Sequence, residues 1–254
     1  MQIDGRTFLV AGGSSGLGAA CVRRLASRGA NVVIADVDPV GQILAEHLGL
    51  RATFAPMDVT DEESVAAGVV AGVKAFGGLD GTVVCAGVLG PEKVLPREGI
   101  PSTANYRRVI EINLVGTFNV IRHAANAIRD RPPGKDGERG VIITTGSIAS
   151  DEGQIGQAAY AASKGGVAAM TLPVARELAC HGIRIMNIAP GIFDTAMMAS
   201  VTPELRQSLA EQVPFPPRFG DPNEFAGLVE HILVNPMLNG STIRLDGAMR
   251  MKAK

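Results

Sequence analysis

Tyr160 and Lys164 stand four apart in the segment Tyr160-Ala161-Ala162-Ser163-Lys164. On a helix that spacing puts both side chains on one face. A free phenol has a pKa of about 10, too high for a base at neutral pH. A lysine charge roughly 5 Å away contributes about 3 kcal/mol at an effective dielectric of ~20, some two pKa units. In bulk water the same pair gives only about 0.8 kcal/mol, so the arrangement works only in a partly closed cleft. Ser147, in Thr145-Gly146-Ser147, carries a hydroxyl able to hydrogen-bond a reacting oxygen beside the tyrosine. Asn113, in Glu111-Ile112-Asn113-Leu114, is an amide inside an otherwise apolar helical run. A Tyr–Lys pair at this spacing arises often by chance, and a serine after glycine is usually a turn. The four together, in this order behind a glycine-rich turn, point to proton transfer at a bound oxygen.

The elements that must position these groups follow from hydrophobic period. Short apolar runs at Thr7–Ala11, Asn31–Ala35, Ala52–Pro56, Gly81–Cys85, Val141–Thr145, Arg184–Ala189 and Thr242–Leu245 read as strands. Between them lie helical patterns: Leu17, Cys21 and Leu25 on one face, then Asp61–Phe76, Thr103–Arg129, Ala158–Cys180 and Pro222–Val234. Near-continuous apolar strands separated by helices imply a parallel sheet covered on both faces, and right-handed crossovers make it doubly wound. The expected fold class is therefore α/β, a single Rossmann domain over residues 1–254 with a central parallel seven-stranded sheet. Asp130–Arg139 and Gly191–Asp221 read as irregular, the second (about 191–221) long enough to be a lid over a site.

Strand one ends in Ala11-Gly12-Gly13-Ser14-Ser15-Gly16-Leu17-Gly18 and passes directly into a helix. Gly12, Gly16 and Gly18 give a tight turn, close backbone approach to a pyrophosphate and close helix–strand packing. The loop, with Ser14, Ser15 and Leu17, leads into a helix N-terminus whose unpaired N–H groups suit phosphate. Asp36 closes strand two, where a carboxylate accepts both adenosine ribose hydroxyls and repels a 2′-phosphate. No Lys or Arg stands in Gly12–Gly18 or just after Asp36, so the expected cofactor is NAD; a turn acid is the other reading of Asp36. Asp58 and Val59 suit an adenine edge, or Asp58 caps the next helix, or both. The small residues of Cys85-Ala86-Gly87 let a cofactor pass close to strand four, although alone they mark only a tight turn.

Composition removes several classes of function. The chain has 254 residues, 46% hydrophobic and 19% charged, which is incompatible with disorder. Lys+Arg is 24 against Asp+Glu 25, a net charge of −1, so no surplus of positive charge favours nucleic acid. The longest apolar stretch, Val65 to Val73, is too short for a bilayer, and the N-terminus reads as a strand rather than a signal peptide. Cys21, Cys85 and Cys180 fit a reducing compartment, and a cytoplasmic location is expected. His47, His123, His181 and His231 show no metal-ligand spacing, so no metal is expected.

The order Gly12-x-x-x-Gly16-x-Gly18, Cys85-Ala86-Gly87, Asn113, Ser147, Tyr160-x-x-x-Lys164 and Pro190-Gly191 resembles the short-chain dehydrogenase/reductase family over nearly the whole chain. The resemblance implies that Tyr160 is the catalytic acid/base, that Lys164 lowers its pKa and binds the ribose, and that Ser147 polarises the substrate oxygen. Asn113 would hold a water linking Lys164 to a proton relay. Pro190, Gly191, Phe193 and Thr195 would join the cofactor site. Two departures are Ala11 for the usual threonine and Cys85 for the usual asparagine. The resemblance also implies a homotetramer, with the Tyr160–Lys164 helix and the long helix before it forming one interface. Asp246–Met251 would lie near another.

More particular segments are Glu152–Tyr160, Gln212–Pro216, Arg139–Ile143 and Asn239–Gly247. They resemble the branch of type 2 short-chain 3-hydroxyacyl-CoA dehydrogenases, which use NAD and some of which also oxidise hydroxysteroids. Cys85 matches this branch. The implied substrate is an acyl-CoA or steroid-like secondary alcohol, held by Ser147, Gln154 and Tyr160. Ile148, Ile155, Phe193, Met197, Met198 and Phe215 are candidates for an apolar wall, or the Met and Phe residues are ordinary core. Gly191–Asp221 supplies only Arg206 and Arg218 for the coenzyme A phosphates. A ketoacyl carrier-protein reductase is disfavoured by Asp36, and a non-catalytic cofactor-binding scaffold by the intact set Asn113, Ser147, Tyr160 and Lys164.

Overall fold

The computed structural model describes residues 1–198 and 202–253. Seven parallel strands form one sheet in the order β3-β2-β1-β4-β5-β6-β7. They are β1 (Thr7–Ala11), β2 (Asn31–Asp36), β3 (Ala52–Pro56), β4 (Gly81–Val84), β5 (Gly140–Thr145), β6 (Ile183–Pro190) and β7 (Thr242–Leu245). β1 lies between β2 and β4, with Val10 opposite Ile34 on one side and Val83 on the other. The order reverses there, which opens a crevice beyond the C-terminal strand ends.

Alternate strand residues feed two separate cores. Phe8, Val10, Val32, Ile34, Val141 and Ile143 pack against α1 (Gly16–Ser27) and α9 (Pro222–Val234) through Cys21, Leu25, Phe225 and Val229. Leu9, Val33, Val84, Ile142 and Ile185 pack on the other face against α3 (Glu62–Phe76), α5 (Gly116–Ile128) and α7 (Ala158–Leu178). Both faces are buried, hence the unbroken apolar strands. Each fully buried Leu or Ile contributes about 1.5–3 kcal/mol.

Three stretches differ from the sequence expectation. α2 (Val40–Leu48) follows β2, where only Gly41 and Ala45 are buried and Val40 and Ile43 are exposed, so its hydrophobic period is faint. The long pattern expected over Thr103–Arg129 is α4 (Ala104–Ile110), one π-helical turn at Glu111–Val115, then α5. The stretch expected to be irregular, 191–221, contains α8 (Pro203–Ala210). Thr202 caps it, accepting from the Leu205 N–H, and Pro203 sits at its first turn, where a missing donor costs nothing. Asp130–Arg139 is a loop pinned by Arg131 to the buried Asp80 and by Glu138 to Arg184.

Candidate active site

The crevice outside the ends of β1, β4, β5 and β6 is a cleft of about 720 Å³. Its floor depends on close backbone approach. Gly12 has φ +74°, and a Cβ there would lie 2.6 Å from the Ala86 nitrogen; at Gly18 it would meet the Gly12 carbonyl. Only glycine allows the first turn of α1 to sit this tightly on the sheet. Beside it the Ser14 N–H donates to Asp36 Oδ2 at 2.9 Å, and the Asp38 N–H to Oδ1 at 3.0 Å. The carboxylate is thereby fixed at the rim.

Deep in the cleft, β5 delivers Ser147 and α7 delivers Tyr160 and Lys164. Lys164 is buried and its Nζ donates to the Thr145 carbonyl at 2.8 Å. The same Nζ lies 5.9 Å from the centre of the Tyr160 ring. Burial pushes the Tyr160 phenol above its ordinary value, and hydrogen bonding from the Ser147 hydroxyl, which faces it, opposes the rise. Burial likewise pulls Lys164 down to about 8, against the pull of Cys85. Of the four expected groups, Ser147 is thus the one that opposes the rise of the phenol, and Lys164 stands beside the ring.

Asn113 is fully buried in the π-helical turn, marked by an i to i+5 bond from the Gly116 N–H to the Glu111 carbonyl. Its Oδ1 accepts from the Val88 N–H at 2.8 Å; its Nδ2 donates to the Val88 carbonyl at 2.9 Å and to Ser163 Oγ at 3.0 Å. Ser163 Oγ donates on to the Tyr160 carbonyl at 2.7 Å. The amide therefore ties the segment after β4 to the turn of α7 between Tyr160 and Lys164. Such π-turns occur frequently at functional sites.

The cleft gathers Gly12, Ser15, Gly16, Leu17, Gly18, Asp36, Asp58, Val59, Cys85, Ala86, Gly87, Ser147, Gln154, Tyr160, Lys164, Pro190, Gly191, Phe193 and Thr195. Ser14 and Asn113 stand behind its surface as braces. Asp58 Oδ1 accepts from the Thr60 N–H and hydroxyl, while Asp61 caps α3, so capping falls to the later acid. Of the apolar-wall candidates, Ile148, Phe193 and Met198 line the cleft. Ile155 and Phe215 do not: they are 54% and 80% exposed. Val213, two residues before Phe215, is the apolar side chain of that segment buried against Ile148 and Met249. The Met197 side chain lies outside the described residues. Gln154 spends its Nε2 donor on the Lys252 carbonyl at 3.1 Å. The sequence reading missed Met57, Val88, Leu89, Leu209 and Met251, all cleft-lining. Among the described residues no His, Cys, Asp and Glu cluster could hold a metal, and no helix is long and apolar enough to cross a membrane.

Beneath the cleft, Cys21 hydrogen-bonds Cys85, which raises the first thiol and lowers the second, and the Thr145 hydroxyl donates to Cys85 Sγ at 3.7 Å. The donor set suits a nicotinamide dinucleotide. The N-terminal turn of α1 borders the cleft, where its N–H groups suit a phosphate, the fixed Asp36 carboxylate at the rim suits ribose hydroxyls, and Lys164 is the one basic side chain lining the cleft among the described residues.

The short chain dehydrogenase profile matches residues 6–206. The chain belongs to the short-chain dehydrogenase family. It is 49% identical over 253 residues to the 3-hydroxyacyl-CoA dehydrogenase type-2 of Drosophila melanogaster, covering 98% of this chain and 99% of that protein. With the Homo sapiens protein of the same name it shares 47% over 254 residues, 99% of this chain and 97% of that one. The crystal structure of 3-hydroxyacyl-CoA dehydrogenase type-2 from Mycobacterium avium superposes with a TM-score of 0.95 at 42% identity, covering 98% of both chains. As a family member, the chain is an oxidoreductase acting on a CH–OH group.

Proposed function

We propose that the chain oxidises 3-hydroxyacyl-CoA to 3-ketoacyl-CoA with NAD. The observation that carries this reading is the meeting of Ser147, Tyr160 and Lys164 in a cleft with the Asp36 carboxylate at its other end. The likeness of the whole chain to 3-hydroxyacyl-CoA dehydrogenases supports the substrate class.

Gly12–Gly18 would hold the pyrophosphate, Asp36 the adenosine ribose, Asp58 and Val59 the adenine, and Lys164, Pro190, Gly191, Phe193 and Thr195 the nicotinamide half. When bound, NAD supplies the acceptor for the hydride leaving C3. Tyr160 takes the hydroxyl proton at its phenolic oxygen. Ser147 hydrogen-bonds both the phenol and the substrate oxygen, so it orients the hydroxyl and holds the forming carbonyl. The ammonium of Lys164, bonded to the Thr145 carbonyl, keeps a positive charge beside the tyrosine. Asn113 holds α7 in register through Ser163. Ile148, Met198 and Leu209 exclude water from the acyl side, with the described residues of the expected lid, 191–198 and 202–221, over it; 199–201 lie outside the described residues.

Exposed Tyr106, Val115 and Phe118 on α4–α5 and Leu172 on α7 support self-association through those helices, the face that the family resemblance gives to one interface of a homotetramer. Three free cysteines suit the cytoplasm as its location.

The test is NADH formation from 3-hydroxybutyryl-CoA and, in parallel, a hydroxysteroid, each with NAD and NADP. NAD-only turnover of the thioester is expected. Steroid turnover with an inert thioester would discard the substrate class and keep the site.

A further inference from the structure

The chain's last described residues return across the cleft, and the catalytic groups account for none of what holds them there. After β7 the backbone reverses at Gly247-Ala248, with φ of +59° and +65°. Arg244, from β7, is the hub. Its Nη1 lies 2.9 Å from Glu152 Oε1, its Nη2 lies 2.7 Å from Asp246 Oδ2, and its Nη2 also donates to the Met249 carbonyl at 3.0 Å. Arg250 joins the same carboxylates, at 3.3 Å from Glu152 and 3.5 Å from Asp246.

The segment beyond Arg250 is pinned by main-chain contacts to α6 (Ala149–Glu152) and to the residues after it. The Met251 N–H donates to Glu152 Oε2 at 3.0 Å, Gln154 Nε2 donates to the Lys252 carbonyl at 3.1 Å, and the Ile155 N–H donates to the Ala253 carbonyl at 3.1 Å. Partial burial pushes the Glu152 carboxyl up, but the Met251 N–H, Arg244 and Arg250 outweigh it and hold it below the usual range. Met249 is buried with Ile148 and Val213, and Met251 packs on that cluster beside Ile192 and lines the cleft. Ile148 follows Ser147, so Met251 stands at the end of the cleft where the substrate oxygen is held, far along the sheet from Asp36.

We propose that residues 249–253 form a strap latched on Glu152, and that its Met251 is a specificity-determining residue that closes the acyl end of the cleft and limits the length of the chain it accepts. The inference rests on the reading of the cleft as an acyl-CoA site. An unbranched thioether adapts to short acyl groups, while its backbone, tied on both sides, keeps it from leaving the path of long ones.

The experiment compares kcat/KM for C4 and C10 3-hydroxyacyl-CoA in the parent, Met251→Ala, Met251→Trp and Glu152→Gln proteins, with thermal melting of each. Because a few methylenes in an apolar pocket change discrimination by ~10-fold or more, Met251→Ala should raise the C10/C4 ratio ~10-fold and Met251→Trp should lower it by a similar factor. Glu152→Gln should move the ratio in the same direction as Met251→Ala. Hydrogen exchange supplies the readout for the latch, since the Met251 amide should lose protection in Glu152→Gln. A ratio that stays constant across the variants, with only the melting temperature falling, would reduce the strap to a structural support and overturn the proposal. If the parent turns over no 3-hydroxyacyl-CoA of any length, the functional reading fails instead. The strap is then judged on the same ratio read with 2-decanol and 2-butanol.

Discussion

Lys164 donates to the Thr145 carbonyl at 2.8 Å, so the ammonium is anchored to the strand that delivers Ser147 two residues later. This contact fixes β5 against α7 at the level of Ser147 and Tyr160. Burial pushes the phenol of Tyr160 up, and Ser147 opposes the rise.

The buried lysine gives a pH signature. Its pKa of about 8 in the fold lies below its ordinary 10.5 because burial disfavours the charged form. Below pH 8 the folded chain carries that cost in full. Between about pH 8 and 10.5 the folded chain releases the proton before the unfolded chain does, so the cost fades as pH rises. Relative to Lys164→Met, which does not titrate, the parent should gain on the order of 2–3 kcal/mol from pH 7.5 to pH 10. Urea denaturation of both proteins across this range measures it, and a constant difference between them would contradict the buried-charge reading.

Tyr160→Phe should abolish alcohol oxidation while leaving NADH binding within a few fold, because the phenol is asked for a proton transfer worth about 10²–10⁴ in rate and more. Intact turnover would remove Tyr160 from the chemistry. NADH fluorescence titration and steady-state rates separate the two effects.

Ser147→Ala removes the group that holds the phenol down, so the tyrosine should ionise at still higher pH. The ascending limb of the kcat/KM profile for oxidation should move alkaline in this variant, together with a rate loss of about 10²-fold or more. A lowered rate with an unmoved profile would leave Ser147 as an oxygen-binding group only.

How much of this was legible depended on range. Tyr160, Lys164 and the Gly12–Gly18 turn are local patterns, and their positions in the cleft follow once strands and helices alternate. The strands were readable because both sheet faces are buried, so Leu9 and Val10 are equally apolar although they serve different cores. Asn113 was visible as an odd amide, but its π-turn was not, because the apolar period of 103–129 runs on through it. Its bonds to Val88 and Ser163 span 25 and 50 residues and leave no local mark. Met251 was invisible as a cleft residue for the same reason: an ion-pair hub joining Arg244 to Glu152 brings it there. α2 escaped notice because its Val40 and Ile43 face solvent.

Asn113→Ala tests the brace. It leaves the Val88 N–H and carbonyl and the Ser163 hydroxyl without their partner in a buried place, each orphan costing about 1–3 kcal/mol unless water enters. Asn113→Ser should rescue part of the loss. Melting temperature should fall by several degrees in the alanine variant, with kcat falling more than KM rises, since the displaced turn carries the proposed proton-transfer group Tyr160 and the Lys164 charge beside it. An unchanged kcat with a lowered melting temperature would make Asn113 a fold residue alone.

On the proposed reading cofactor choice rests on Asp36, and the geometry gives that reading a sharp test. Its two oxygens are occupied on one side by the N–H groups of Ser14 and Asp38, which hold the carboxylate in one orientation at the rim. Each oxygen keeps lone pairs for a ribose hydroxyl, and the fixed negative charge repels a 2′-phosphate. Asp36→Ala removes the acceptor and the repulsion together, so kcat/KM for NAD should fall and that for NADP rise, moving their ratio by at least ~10-fold. NADP should nonetheless remain a modest cofactor, because Lys164, the one basic side chain lining the cleft among the described residues, lies beside Tyr160 rather than at this rim. An unchanged NAD/NADP ratio would show that Asp36 serves only its turn, as the acceptor that holds Ser14 and Asp38.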